Sequence, residues 1–289
     1  MDIRNKFSNG MKIDGKVISS NLQSKLKVRV NNLNKKGIIP TMAIILVGNN
    51  EASNIYVRQK SLKAKEIGAL VKVFHTDQNV TNEDIEKTIR KLDKNPNIHG
   101  IIIQRPAPEN IDAGGLNELI SPIKEVDGFG SRSIYPVPVA AAAWKMIEEV
   151  FKSQRLKTNF SDWLKSKKIV IIGKGITAGR PIINHFGKKK IPIILVDSKT
   201  KNRDKILKSS DIIITAVGKH ILNSSDVKKG VILIGVGLFS DKDGKLKGDY
   251  DGKDMENVAG FYSPTPGGVG PVNVACLLEN LIKAAESSN

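Results

Sequence analysis

The hydrophobic positions of the first half of the chain fall into two alternating patterns. Ile18, Leu22, Leu26, Val30 and Leu33 recur at about 3.6-residue spacing, and the run stops at Gly37, which predicts an amphipathic helix with a glycine stop. Residues 41–47 are apolar and read as a strand buried on both faces, ending at Gly48. A helix over 52–68 closed by Gly68 follows, then a short strand over 71–75. Thr81 and Asp84 make a capping-box-like start to a helix reaching Leu92. Residues 100–104 form a further buried strand ending on Gln104, and Pro106 and Pro108 forbid a helix directly after it. A short helix near 116–120 leads into Val126-Asp127-Gly128-Phe129. Strands alternating with helices at this spacing predict parallel pairing with helical crossovers.

Pro136-Val137-Pro138 is a stiff, extended break and the best hinge candidate, placed before a long apolar helix over 140–151. After residue 165 the pattern becomes strand, glycine turn, helix: 168–172, four apolar residues after Lys168, reads as a buried strand, and Gly173-Lys174-Gly175 with Gly179 opens a helix. Further strands are expected over 191–196, 211–217 and 231–236. Glycines between a strand and a helix N-terminus let backbone approach a pyrophosphate, so this half reads as a dinucleotide-binding unit. The Gly-x-Gly-x-x-x-Gly spacing is one residue longer than the common fingerprint. Asp197, 24 residues beyond Gly173, stands where an acid would hold a ribose 2′-hydroxyl and favour NAD. Lys174, Ser198 and Lys199 point to a 2′-phosphate, and the balance favours NADP with NAD possible. The expected fold is therefore α/β: residues 1–139 with a C-terminal helix over 273–289 form one domain, and 140–272 form a Rossmann-like domain with a parallel sheet. Residues 1–9 read as a polar, frayed terminus.

The candidate chemistry starts in the helix after the first buried strand. Tyr56 and Lys60 are four residues apart, one above the other on a helix face at the sheet edge where α/β proteins place their sites. Desolvation, together with the like charges of Arg58 and Lys63, would lower the Lys60 pKa and leave neutral amine to accept a proton. Gln104 and Asp127 follow strand or loop-entry positions and can converge on Lys60. Near the C-terminus, the glycines and prolines of 264–271 predict a close-approach loop against which a flat ligand can lie.

Composition narrows these options. Four scattered histidines show no ligand spacing, so no metal site is expected, and the single Cys276 lies in an apolar helical pattern as a core thiol. The formal charge of +17 would suit a polyanion. Lysines are spread through most helices and aromatics make up 5% of the chain without a stacking platform, so neither nucleic acid nor a membrane surface is the expected partner. No run of about 18 apolar residues and no secretory block at the N-terminus are present, which predicts a soluble, cytoplasmic protein.

Four stretches in order carry a family resemblance: Val47-Gly48 with Ala52-Ser53-x-x-Tyr56-x-x-x-Lys60 and Glu66-Ile67-Gly68; Gln104-x-Pro106-x-Pro108; Val126-Asp127-Gly128; and Pro264-x-Pro266-Gly267-Gly268-Val269-Gly270-Pro271. From about Ile13 to Ala284 the chain resembles the methylenetetrahydrofolate dehydrogenase/methenyltetrahydrofolate cyclohydrolase family. The resemblance implies two α/β domains flanking a folate cleft, and a homodimer formed through the nucleotide domain. It implies oxidation of 5,10-methylenetetrahydrofolate to the methenyl form with NADP, then hydrolysis to 10-formyltetrahydrofolate. It also assigns roles: Lys60 as the acid/base of hydrolysis, Tyr56 stacking on folate, Gln104 bonded to the lysine, and Asp127 anchoring the pterin. Gly173, Lys174, Gly175, Ser198 and Leu238 would line the dinucleotide, and Pro264, Gly267 and Gly268 would wall the folate. Departures cluster on the dinucleotide side: Gly175 replaces a serine, Asp197 a histidine and Gly235 an aspartate. Elsewhere Leu62 replaces a lysine, and residues 137–142 are more apolar than usual. They leave open an enzyme that is mainly a cyclohydrolase, with weakened or NAD-dependent dehydrogenase activity.

Overall fold

The computed structural model describes residues 10–288, and the 1–9 stretch read as a frayed terminus lies outside the described residues. The elements in chain order are β1 (Met11–Lys12), α1 (Gly15–Asn34), β2 (Thr41–Val47), α2 (Glu51–Ile67), β3 (Leu70–Thr76), α3 (Asn82–Asp93), β4 (Gly100–Ile103), α4 (Ala113–Asn117), α5 (Pro138–Ser153) and α6 (Phe160–Lys165). They continue with β5 (Ile169–Ile172), α7 (Gly179–Lys188), β6 (Ile194–Val196), α8 (Arg203–Lys208), β7 (Ile212–Thr215), β8 (Ile232–Gly235), β9 (Leu238–Ser240), β10 (Leu246–Gly248), α9 (Gly252–Met255), β11 (Phe261–Tyr262) and α10 (Val269–Glu286). The chain divides into two compact units: Ser19–Pro138 with Val274–Asn289, and the segment ending at Ile18 with Val139–Asn273.

The unit containing Ser19–Pro138 is built on a three-stranded parallel sheet of order β3-β2-β4. All seven residues of β2 are buried, because the two-residue pleat sends them alternately into two cores. Met42, Ile44 and Leu46 pack with Leu26 and Val30 of α1 and Leu278, Leu281 and Ile282 of α10, while Ala43, Ile45 and Val47 pack with Ile85 and Ile89 of α3. Each such isoleucine contributes about 1.5–3 kcal/mol of burial. The β4 edge is prolonged by a single parallel bridge between Ile101 and Glu125, which brings the chain just before Asp127 alongside the sheet.

The other unit carries a six-stranded, wholly parallel sheet of order β1-β11-β8-β7-β5-β6. Its outermost member at one end, β1, differs from the sequence reading, which grouped the N-terminal stretch with the first domain. Met11 and Lys12 pair with Phe261 and Tyr262. A two-residue strand with both side chains exposed has no periodicity to betray its partner. At the opposite edge β6 spans three residues rather than the expected six, since Pro192 offers no N–H to a ladder. Helix α5 starts at Pro138, where a missing N–H costs nothing, which puts the start of the helix at the boundary between the units. Cys276 is buried, and among the described residues no helix is long and apolar enough to cross a membrane.

Candidate functional site

Helix α2 has well-defined ends. The Asn50 side chain accepts the Ser53 N–H at 3.0 Å, and Gly68, left-handed at φ +85°, donates to the carbonyls of Ala64 and Lys65. Its buried stripe is Ser53, Val57, Lys60, Ala64 and Ile67, so a lysine occupies a position where the helix period calls for an apolar residue. Lys60 is 9% exposed, and its ammonium donates to Gln104 Oε1 at 2.9 Å. Gln104 is fixed in turn: its backbone N–H donates to the Ile45 carbonyl at 2.9 Å, and its Nε2 to the Arg105 carbonyl at 2.5 Å.

Burial pushes the Lys60 pKa below its ordinary value, with the charge of Asp127 opposing the shift. The same site pushes Asp127 up by burial, against the pull of Lys60 and Arg105. The structure corrects the sequence reading on the cause, because like charge does not drive the lysine down. Arg58 is exposed, and half-buried Lys63 is held by Glu66 at 2.8 Å. Tyr56, one turn before Lys60, lies at the margin of the buried stripe with 36% exposure, and burial raises its hydroxyl pKa.

Asp127 sits in a turn closed by Gly128, whose φ is +75° and where an added Cβ would fall 2.6 Å from the Val137 nitrogen. Buried Asn280 of α10 donates to the carbonyls of Val126 at 2.9 Å and Pro136 at 3.0 Å, pinning both ends of this segment. No local pattern signals this contact, since 154 residues separate Asn280 from Val126. Within one unit, then, Lys60 on the buried face of α2 meets Gln104 at the end of β4, and Asp127 is near enough for each charge to act on the other.

The glycine turn belongs to the other unit, between β5 and α7. Gly173 has φ +96°, and a Cβ there would meet the Ala216 carbonyl oxygen at 2.5 Å. Residues 174–177 are exposed, nothing would lie within 4 Å of a Cβ at Gly175, and the Ala178 cap position supplies no side-chain bond to the helix amides. An open, uncapped helix N-terminus after a parallel strand fits a pyrophosphate. Asp197, at the end of β6, accepts from Lys174 at 2.9 Å, the Lys199 N–H at 3.0 Å and Thr200 Oγ1 at 3.1 Å. These donors, Lys174 first, hold its carboxyl below the usual range. Ser198 and Lys199 are exposed beside it. Leu238 opens β9, its carbonyl 3.2 Å from where a Cβ at Gly218 would stand.

Two further features went unread in the sequence. Fully buried Asp249 accepts the N–H groups of Val217, Gly218 and Lys219 at 3.1, 2.7 and 3.1 Å, fixing the loop after β7. Gly235 faces the Tyr250 ring, where a Cβ would come within 3.1 Å, so this ring takes up the space a larger residue would need. The Pro264–Gly268 loop is packed by backbone: a Cβ at Gly15 would overlap the Gly268 carbonyl at 1.8 Å, and one at Gly268 would meet the Pro264 carbonyl at 2.5 Å. Its buried glycine therefore answers to chain packing, while Gly267, at φ +101°, and Pro264 stay partly exposed.

Comparison with known proteins finds two family models, one over each half of the chain. Residues 13–127 match the family model for the tetrahydrofolate dehydrogenase/cyclohydrolase catalytic domain, and residues 153–289 match the model for its NAD(P)-binding domain. The chain is 37% identical to the bifunctional protein FolD of Nitrosopumilus maritimus, over 97% of this chain and 98% of that protein. The crystal structure of the bifunctional FolD methylenetetrahydrofolate dehydrogenase/cyclohydrolase of Campylobacter jejuni superposes with a TM-score of 0.88 at 31% identity, covering 96% of this chain and 99% of that one. The Trypanosoma brucei enzyme, solved with NADP cofactor and inhibitor, gives a TM-score of 0.83 at 26% identity, covering 97% and 98%. By its two matching family models, by fold and by similarity along nearly its whole length, the chain belongs to the tetrahydrofolate dehydrogenase/cyclohydrolase family.

Proposed function

We propose that this protein oxidises 5,10-methylenetetrahydrofolate to 5,10-methenyltetrahydrofolate with NADP and hydrolyses the product to 10-formyltetrahydrofolate, using Lys60 as the proton-transfer group. The observation that carries this reading is a lysine buried at 9% exposure and bonded to Gln104 at 2.9 Å, in the field of Asp127. When bound, the dinucleotide supplies the hydride acceptor; Gly173, Lys174 and Gly175 hold its phosphates, with Ser198 and Leu238 lining it. That step needs no protein acid or base. Hydrolysis does: water adding to the methenyl carbon must lose a proton, and N5 must gain one as its bond to that carbon breaks. Neutral Lys60 takes the first and passes it to N5. The hydroxyl proton left on the former methenyl carbon departs to solvent as the formyl C=O forms, so hydrolysis releases one proton overall. Gln104 aims the amine, Asp127 anchors the pterin, and Tyr56 stacks on it. Pro264, Gly267 and Gly268 contribute folate contacts, and the exposed-edge strand β6, with Leu195 39% exposed, supports a homodimer formed through the nucleotide unit.

For the 2′ position, Lys174 can leave Asp197 at little cost because an exposed ion pair is screened by solvent; together with Ser198 and Lys199 it would hold a phosphate. A second reading, a cyclohydrolase with weak or NAD-dependent dehydrogenase activity, is favoured by one observation, the Asp197 carboxylate at the end of β6. Paired NADP and NAD fluorescence titrations, with separate assays of the two half-reactions, decide between them. Tighter NADP binding and two measurable activities support the proposal. Preferential NAD binding with hydrolysis alone supports the second reading, and neither activity refutes both.

A further inference from the structure

Two charged side chains beside the Lys60 site have no part in the chemistry above, and both grip the turn that carries Asp127. Glu125 is 1% exposed; its Oε1 accepts the Phe129 N–H at 3.4 Å and its Oε2 the Gly130 N–H at 3.3 Å, so the carboxylate spans the turn from inside. Its own backbone is tied to Ile101 of β4 by the isolated bridge, and its carbonyl accepts Ser133 Oγ at 2.9 Å. Arg105, directly after Gln104, lays its guanidinium over the Phe129 ring at 4.7 Å and donates to the Ala113 carbonyl at 3.2 Å.

We propose that Glu125 and Arg105 are positioning residues for Asp127: one bonded beneath the turn and one stacked on it, they fix where Asp127 stands and place a charge of each sign beside it. The inference rests on the reading of Lys60 as the proton-transfer group. Asp127 feels the positive charges of Lys60 and Arg105, and Glu125 feels the negative charge of Asp127. The other charged groups nearby are engaged elsewhere. Lys124 donates to the carbonyls of Asp93 and Asn95, Glu118 accepts from Ser131, and Arg132 donates to the Glu118 carbonyl. Helix α10 contributes neutral Asn280 to the turn.

Burial raises the Glu125 pKa first, and Asp127 adds to it. Taking a negative charge out of such a cluster makes every remaining proton easier to lose, and taking out a positive charge does the reverse. The two residues therefore bias the site in opposite directions. A purely structural role would produce shifts of one sign or none.

The test uses the full chain with Glu125→Gln, which keeps an acceptor for the two amides, and Arg105→Met, with Arg105→Lys as the charge-restoring control. Two readouts are taken: the pH profile of methenyltetrahydrofolate hydrolysis, and the titration of Lys60 by NMR of side-chain-labelled lysine in the ligand-free protein. Glu125→Gln is expected to move the acid limb and the Lys60 midpoint to lower pH by about half a unit or more, and Arg105→Met to move both upward by a similar amount. Arg105→Lys should bring the midpoint back. Unmoved or same-sign midpoints in the two variants would overturn the proposal, and the NMR readout decides even where turnover is too slow to follow. Failure of the Lys60 reading would look different: Lys60→Met would still hydrolyse while the NMR midpoints shifted as stated.

Discussion

Lys60 Nζ lies 2.9 Å from Gln104 Oε1, a contact between the buried face of α2 and the end of β4. The carbonyl holds the amine on one side, leaving its other valences for a reactant. Replacing Gln104 with Met should lower hydrolysis by about tenfold or more through lost orientation, while the hydride step is spared. The same change removes an acceptor that favours the ammonium, so the acid limb should move to lower pH. Steady-state rates of both half-reactions across pH measure this, and an upward shift would contradict the role given to Gln104.

The Lys174–Asp197 pair sets up a charge test of cofactor choice. Asp197 lies beside the place proposed for a 2′-phosphate, so Asp197→Asn should tighten NADP relative to NAD by about three- to tenfold at low salt, less at high salt. Lys174→Ala should do the reverse. Titration of both cofactors at two ionic strengths reads the result; equal effects on NADP and NAD would remove Asp197 and Lys174 from the 2′ subsite.

Asn280 joins Val126 to Pro136 across the Asp127 turn. Asn280→Leu strands the buried Val126 carbonyl, at a cost of about 1–3 kcal/mol before relaxation, and frees the partly buried Pro136 carbonyl to water at a smaller cost. Urea unfolding should show that loss. Hydrolysis should fall more than NADP binding, because the displaced turn carries Asp127 and no dinucleotide contact.

Gly235 stands against the Tyr250 ring, and Tyr250 is itself buried and bonded to the Ser263 carbonyl at 2.8 Å. Gly235→Asp should therefore destabilise the nucleotide unit by about 1–3 kcal/mol through overpacking. Gly235→Ala should cost less. Equal stability of all three proteins in urea would show that the ring gives way freely.

Much of this was legible in the residues because local pattern decided it. The unbroken apolar run of 41–47 and the strand-turn-helix around Gly173 needed no tertiary information. Lys60 was found by its spacing from Tyr56, although the depth of burial that lowers its pKa depends on which face of α2 turns inward, and that is fixed by packing. Contacts between distant segments stayed hidden: Asn280 to Val126, Asp249 to the amides of 217–219, and β1 to β11. Each joins groups with no shared periodicity. Glu125 and Arg105 belong to no sequence pattern, and only the turn they grip gives them a role.

The central claim is that neutral Lys60 moves the protons of hydrolysis, and Lys60→Met tests it most directly. Burial holds the folded pKa below the ordinary 10.5, so wild-type hydrolysis should rise with pH through that lowered value. In Lys60→Met that pH step should vanish and the rate should fall by about 10²–10⁴, with NADP-dependent oxidation of methylenetetrahydrofolate retained. Hydrolysis at the wild-type rate with its pH step intact would contradict the account.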